Sequence, residues 1–340
     1  VYAGIPYAKA PVGDLRWKEP QDSDKYEGLL KADHFKPMAM QKRQNNLIST
    51  ASDILFYHNV TRTIKNRYLP KMSEDCLYLN VWKPAGNKKN LPVVFYIHGG
   101  SLTTGQSWWQ DYNGESYAKK DVIFVTFSYR LGALGFYADE NLARESANNT
   151  TGMYGFLDQV KALEWVNKNI KTFGGDPNKI TIAGESAGSS SVNAMCVSPL
   201  TKGIFRYAIS ESSSITGKKP PHSYKDFADA IKQGKTLRDE LGVSSPVDLR
   251  KVPAEKIANT STLYGTLNAM TNDGYALKKS PYESYLAGEH NEKALLTGYN
   301  KKDGDLFMLV DKKTNKDTYK ESIKAIYPRA YREIIKAYPA

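Results

Sequence analysis

Residues 179–191 read KITIAGESAGSSS, and this stretch decides the fold. A β-branched run climbs to Gly184, passes through Glu185, Ser186, Ala187 and Gly188, and continues into helix-compatible sequence, giving the strand, sharp turn and helix that a Gly-x-Ser-x-Gly motif requires. A serine at the tip of such a turn must take strained backbone angles. Glycines two positions to either side let the flanking chain pass closely without a Cβ clash. Ser186 is therefore the candidate nucleophile. It would stand at the start of a helix whose dipole and free N–H groups favour developing negative charge.

Working outward, the stretch YIHGGSLTTG at 96–105 follows another β-rich run. Consecutive glycines after a strand expose backbone N–H groups that can face the oxygen of a tetrahedral intermediate, with the residue after the nucleophile adding one more. The expected oxyanion hole is Gly100, Ser101 and Ala187. His98, directly before the glycines, is expected to order the loop rather than to act chemically. Glu185 is expected to tune the electrostatics behind the nucleophile, and Trp108 and Trp109 to line the approach to it.

Residues 77–82, 91–97, 122–129, 207–212 and 294–299 join 179–184 as short apolar runs bounded by turn residues, the composition of buried strands. Between two of them, residues 153–173 place Phe156, Val160, Leu163, Ile170 and Phe173 on one helical face, stopped by Gly174 and Gly175. Strand, helix and strand in succession predict an α/β architecture with a largely parallel sheet covered by helices on both faces. A second amphipathic helix is expected from Asp226 to Leu241, capped at Gly242. From about 216 to 280 the sheet rhythm weakens, which reads as an insertion over one end of the sheet. All 340 residues are expected to form one domain.

Composition narrows the function classes. With 41% apolar and 24% charged residues the chain can bury a large core and is not of a disordered class. The formal charge is +11. Its lysines are scattered among acids with no basic block interleaved with aromatics, so a nucleic-acid partner is not expected. No apolar run approaches the roughly 18 residues of a membrane span. Cys76 and Cys196 are the only cysteines, too few for a disulfide framework and in no metal-ligand spacing. No metal site is expected.

Taken together, GIPYAKAPVGDLRWKEPQ (4–21), MSEDCLYLNVWKP (72–84), the glycine loop, SYRLGALGF (128–136), GMYGFLDQVKALEWVNKNIKTFGGDPNKITIAGESAGS (152–189) and LLTGYNKKDGDLF (295–307) resemble, in order, the type B carboxylesterase family, the cholinesterase-like branch of the α/β-hydrolases. The resemblance implies an α/β-hydrolase fold, ester hydrolysis through an acyl-enzyme, a small-molecule ester substrate and no cofactor. It puts Asp303 in the place of the triad acid, where family members usually carry glutamate. It also implies ion pairs of Arg16 with Glu74 and of Arg130 with Asp176. The family's first disulfide would join Cys76 to a cysteine where this chain has Met40, so the bridge is absent and a reducing, cytoplasmic compartment is slightly favoured over secretion. Where cholinesterases carry a cation-binding tryptophan, this chain has Asn66, which argues against choline esters.

The base of the triad must follow the acid in this fold, yet the histidines are His34, His58, His98, His222 and His290, none beyond Asp303. The expectation is that the catalytic histidine lies past residue 340 and that the 340-residue chain alone is nearly inactive. It would also have an incomplete sheet edge open to association, or to pairing with a chain carrying the remaining part. The alternative is a catalytically silent binding or adhesion module on the same fold.

Overall fold

The computed structural model describes residues 1–25, 27–42, 71–213, 215–218, 220, 223–260, 269–301, 303 and 315–339. They fall into two compact units, Val1–Gly298 and Tyr299–Ala340. The first is built on a seven-stranded sheet: β1 (Tyr2–Pro6), β2 (Tyr78–Trp82), β3 (Leu91–Ile97), β4 (Ile123–Phe127), β5 (Gly175–Glu185), β6 (Tyr207–Glu211) and β7 (Ala294–Gly298), in spatial order β1-β2-β4-β3-β5-β6-β7. The five strands from β4 to β7 run parallel, and β2 lies antiparallel to both its neighbours. The described residues of the second unit include the helices Lys316–Ile326 and Tyr331–Ala337.

The inner strands are apolar on both faces because helices cover both, as crossover connections demand. Val93, Phe95, Ile97, Val125, Phe127, Ile180 and Ile182 have no exposed surface, and Phe95 stacks on Phe127 with centroids 4.5 Å apart. The helix expected from the 3.6-residue periodicity is α1 (Tyr154–Asn169), continued by a 3-10 turn to Phe173 and stopped at Gly174, whose φ of 90° is left-handed. Its face of Phe156, Val160, Leu163 and Ile170 is buried against the sheet, while Phe173 is half-buried against Tyr2. Each such side chain contributes about 1.5–3 kcal/mol on burial. The turn at Ser186 opens into α2 (Ala187–Val197). The second amphipathic segment is α3 (Phe227–Leu241), ended by left-handed Gly242. Two further short helices, Pro246–Lys251 and Ala254–Ala258, occupy the region read as an insertion.

Two expectations are corrected. The run at 294–299 is a strand over Ala294–Gly298 but not a buried one: all five residues are exposed, Leu296 by 66%, because β7 is the last strand of the sheet. Arg130 does not pair with Asp176. Its guanidinium makes a bidentate contact with Asp158, Nε to Oδ2 and Nη2 to Oδ1 at 2.7 Å each, and its backbone N–H donates to the same carboxylate at 3.0 Å. Asp158 sits on the buried side of α1 beneath Arg130, whereas Asp176 accepts from the Asn178 amide and faces Lys179 at the surface. The pair of Arg16 with Glu74 forms as expected, through two contacts of 2.6 Å.

Both cysteines are free and buried. Met40 and Cys76 line the same small cavity of about 10 Å³, beside Arg16, Glu74 and Arg130. No helix among the described residues is long and apolar enough to cross a membrane, and no group of His, Cys, Asp and Glu side chains there could hold a metal ion.

Candidate active site

The site is set by strand register. Ile97 of β3 pairs with Gly184 of β5, so the residues that leave β3, His98 and Gly99, emerge beside those that leave β5, Glu185 and Ser186. On the other side Glu185 pairs with Glu211 of β6, and the Ser186 amide donates to the Glu211 carbonyl at 2.9 Å. This is the carboxyl end of a parallel sheet, where α/β folds place their ligands.

Ser186 has φ 57° and ψ −121°, a backbone conformation that costs a residue with a side chain of order 1–3 kcal/mol. The surroundings impose it. A Cβ on Gly184 would lie 2.5 Å from the carbonyl carbon of Gly188, and one on Gly188 would lie 2.1 Å from the carbonyl oxygen of Ile97. The strand and the helix therefore cross backbone on backbone, and the serine between them has to turn sharply. Ser186 is half-buried, and Ala187 behind it is 2% exposed at the first position of α2, where a helical N–H has no partner within the helix.

The glycine loop meets this turn directly. A Cβ on Gly99 would be 2.7 Å from the Glu185 carbonyl oxygen and 3.2 Å from the Cβ of Ser186. Beyond it the loop folds on itself, with the Gly100 carbonyl accepting from the amides of Thr103 and Thr104 at 3.0 Å each and from both threonine hydroxyls. Ser101 and Leu102 both have left-handed φ, 56° and 57°. No acceptor faces the N–H groups of Gly100, Ser101 and Ala187 among the described residues.

His98 is buried at the head of the glycine loop. Its ring stacks on Tyr129 at 4.4 Å and its Nδ1 lies 2.9 Å from the Gly99 carbonyl, an arrangement that needs the proton on Nδ1. Burial pushes the imidazole pKa down to about 4, with the Gly99 contact opposing it. Nε2 is buried with no partner among the described residues, and no hydrogen bond joins His98 to Ser186. Glu185 ends β5 and is exposed.

Three contacts that sequence reading missed fasten this loop. Tyr129 donates its hydroxyl to the His98 carbonyl at 2.8 Å, and the Gly132 amide donates to the Leu102 carbonyl at 2.8 Å. Gln41 brackets Gly105, accepting from its amide at 3.0 Å and donating to its carbonyl at 2.8 Å. Only Tyr129 carried a signal, being an aromatic at the end of the strand adjoining β3. A side chain pairing with backbone 64 positions away leaves none.

The carboxylesterase family profile matches residues 1–335. The chain belongs to the carboxylesterase family. It is 34% identical to the para-nitrobenzyl esterase of Bacillus subtilis over 91% of this chain and 60% of that protein, and 32% identical to the fumonisin B1 esterase of Sphingopyxis macrogoltabida over 90% of this chain and 53% of that one. The solved structure of a Geobacillus stearothermophilus carboxylesterase superposes with a TM-score of 0.79 at 33% identity, covering 95% of this chain and 63% of that one. The chain thus spans about half to two thirds of these carboxylesterases, and the α/β-hydrolase fold is the one they share.

Asp303, expected as the acid, follows β7 by five residues and belongs to the second unit. It is exposed in a turn where its amide donates to the Asn300 carbonyl at 3.1 Å. Trp108 is half-buried and engaged in packing: it stacks on Phe35 at 5.5 Å and donates its indole N–H to the Lys36 carbonyl at 3.2 Å. Trp109, 40% exposed, starts the next turn. Asn66, His58 and His222 lie outside the described residues.

Proposed function

We propose that this carboxylesterase-family protein hydrolyses neutral carboxylic esters through an acyl-enzyme formed on Ser186. The observation that carries the reading is the juxtaposition of a strained serine at a strand-to-helix turn with a glycine loop so near that a Cβ on Gly99 would lie 3.2 Å from the Ser186 Cβ. Ser186 Oγ attacks the carbonyl carbon, and the electron pair of the carbonyl moves to oxygen. The N–H groups of Gly100, Ser101 and Ala187 hold that oxyanion, each such donor lowering the barrier by about 3–4 kcal/mol. The tetrahedral intermediate collapses, the alcohol leaves with a proton, and water then releases the acid by the same route. Asp303 orients the histidine that moves these protons. In the triad order that histidine follows Asp303, and residues 304–340 contain none. His98 is set aside as the base by its stacked, buried ring and its contact with Gly99. Glu185 and Glu211, side by side at the mouth of the turn, support a preference for uncharged over anionic esters.

The test uses the protein encoded by the full reading frame. It should hydrolyse short-chain 4-nitrophenyl esters and label with a serine-directed fluorophosphonate, and Ser186→Ala should lose both. Absence of labelling in the parent protein would overturn the reading.

A further inference from the structure

We propose that Gln41 is a positioning residue for ester hydrolysis, locking the exit of the oxyanion loop through Gly105. The inference rests on the serine-esterase reading above. Residues 36–41 form a strap across the loop. Its Met38–Ala39 strand pairs with Met72–Ser73, its Lys36 carbonyl accepts from the Trp108 indole at 3.2 Å, and Gln41 closes its end on Gly105. The single primary amide of Gln41 satisfies both backbone polar groups of Gly105, as a neighbouring strand would, and steadies itself with a 3.1 Å bond from Nε2 to the Ala39 carbonyl.

Gly105 is the part of the loop that presses back on its beginning. With φ at 123°, it stands where a Cβ would be 2.3 Å from His98 Nδ1 and 2.9 Å from the Gly99 carbonyl oxygen. Gly99, on which a Cβ would lie 3.2 Å from the Ser186 Cβ, precedes Gly100 and Ser101. Displacing Gly105 therefore reaches the proposed oxyanion donors through one layer of contact. The loop has reason to move if released, since Ser101 and Leu102 are consecutive left-handed residues with side chains. Tyr129 and Gly132 tether its start and middle, and Gln41 tethers its exit. Misplacing a reacting group by about 1 Å can cost on the order of 10²-fold in rate.

The experiment compares Gln41→Ala, Gln41→Glu and Ser186→Ala with the parent full-length protein, counting active sites by fluorophosphonate end-point titration. It measures kcat and KM for 4-nitrophenyl butyrate, the Ki of an alkyl trifluoromethyl ketone, and thermal melting. The ketone adds Ser186 Oγ across its C=O, leaving an oxyanion in the hole. Expected for Gln41→Ala is a fall in kcat per titrated site of about 10- to 100-fold, KM within about threefold, and ketone affinity lost in parallel with kcat. Gln41→Glu, which keeps an acceptor for the Gly105 amide but turns an oxygen toward its carbonyl, should fall at least tenfold while still titrating. Unchanged kcat and Ki per titrated site, with only a lower melting temperature, would overturn the proposal and make Gln41 a stability residue. A parent protein that neither titrates nor differs from Ser186→Ala would instead overturn the esterase reading, so the two failures are distinguishable.

Discussion

Gly188 lies against Ile97 so closely that a Cβ on it would come within 2.1 Å of the Ile97 carbonyl oxygen. That contact joins the helix that follows Ser186 to the strand that feeds the glycine loop. In the full-length protein, Gly188→Ala must push the two apart and is expected to lower kcat on 4-nitrophenyl esters by on the order of 10²-fold. A variant with parental kcat would mean that the crossing of α2 over β3 does not set the site.

The buried pair of Arg130 and Asp158 holds the chain leaving β4 to α1, and the same guanidinium donates to the Lys18 carbonyl at 2.9 Å. Removing one partner strands the other charge in the core. Asp158→Asn is expected to cost about 3–5 kcal/mol in denaturant unfolding, whereas Asp176→Asn should leave the midpoint where it is. Equal effects of the two substitutions would contradict the pairing.

His98 makes stability depend on pH in a stated direction. Its folded pKa is near 4, against about 6.5 for an unconstrained histidine, so on acidification the unfolded chain takes up the proton first. The contribution is complete above pH 6.5 and declines as pH falls toward 4, by up to about 3 kcal/mol over that interval. Unfolding free energies of the parent and His98→Asn between pH 7 and pH 4.5 should diverge in slope, the parent being steeper. Parallel slopes would show that His98 is solvated or already charged.

β7 offers an exposed edge with Leu296 uncovered. Residues 1–340 expressed alone are expected to self-associate by strand pairing, and Leu296→Lys should shift sedimentation toward monomer. Identical distributions for the two proteins would place any association elsewhere.

Much of this was legible in the sequence because it is written in short-range pattern. The glycine spacing around Ser186 and the apolar runs of β3 to β6 are local signals, and the helix stop at Gly174 follows from a backbone angle that favours glycine. β1 was missed: YAGIP is short, contains glycine and proline, and forms a strand by pairing with β2, 72 positions or more away. The partner of Arg130 was misassigned to Asp176, and Asp158 passed over, for a related reason. A charged residue in an amphipathic helix normally marks the wet face, and only the arrival of Arg130 from another loop makes a buried carboxylate tolerable there. The edge position of β7 is a property of the sheet's strand order, which apolar composition does not encode.

The backbone of Ser186 carries one more implication. Its φ and ψ suit a residue without a side chain, so the best amino acid for folding at position 186 is glycine, whereas the proposed chemistry needs serine. Ser186→Gly is therefore expected to be inert yet to melt higher than the parent. On the proposed esterase reading, random mutagenesis screened for thermal tolerance alone would drift toward glycine at the very position that carries the chemistry.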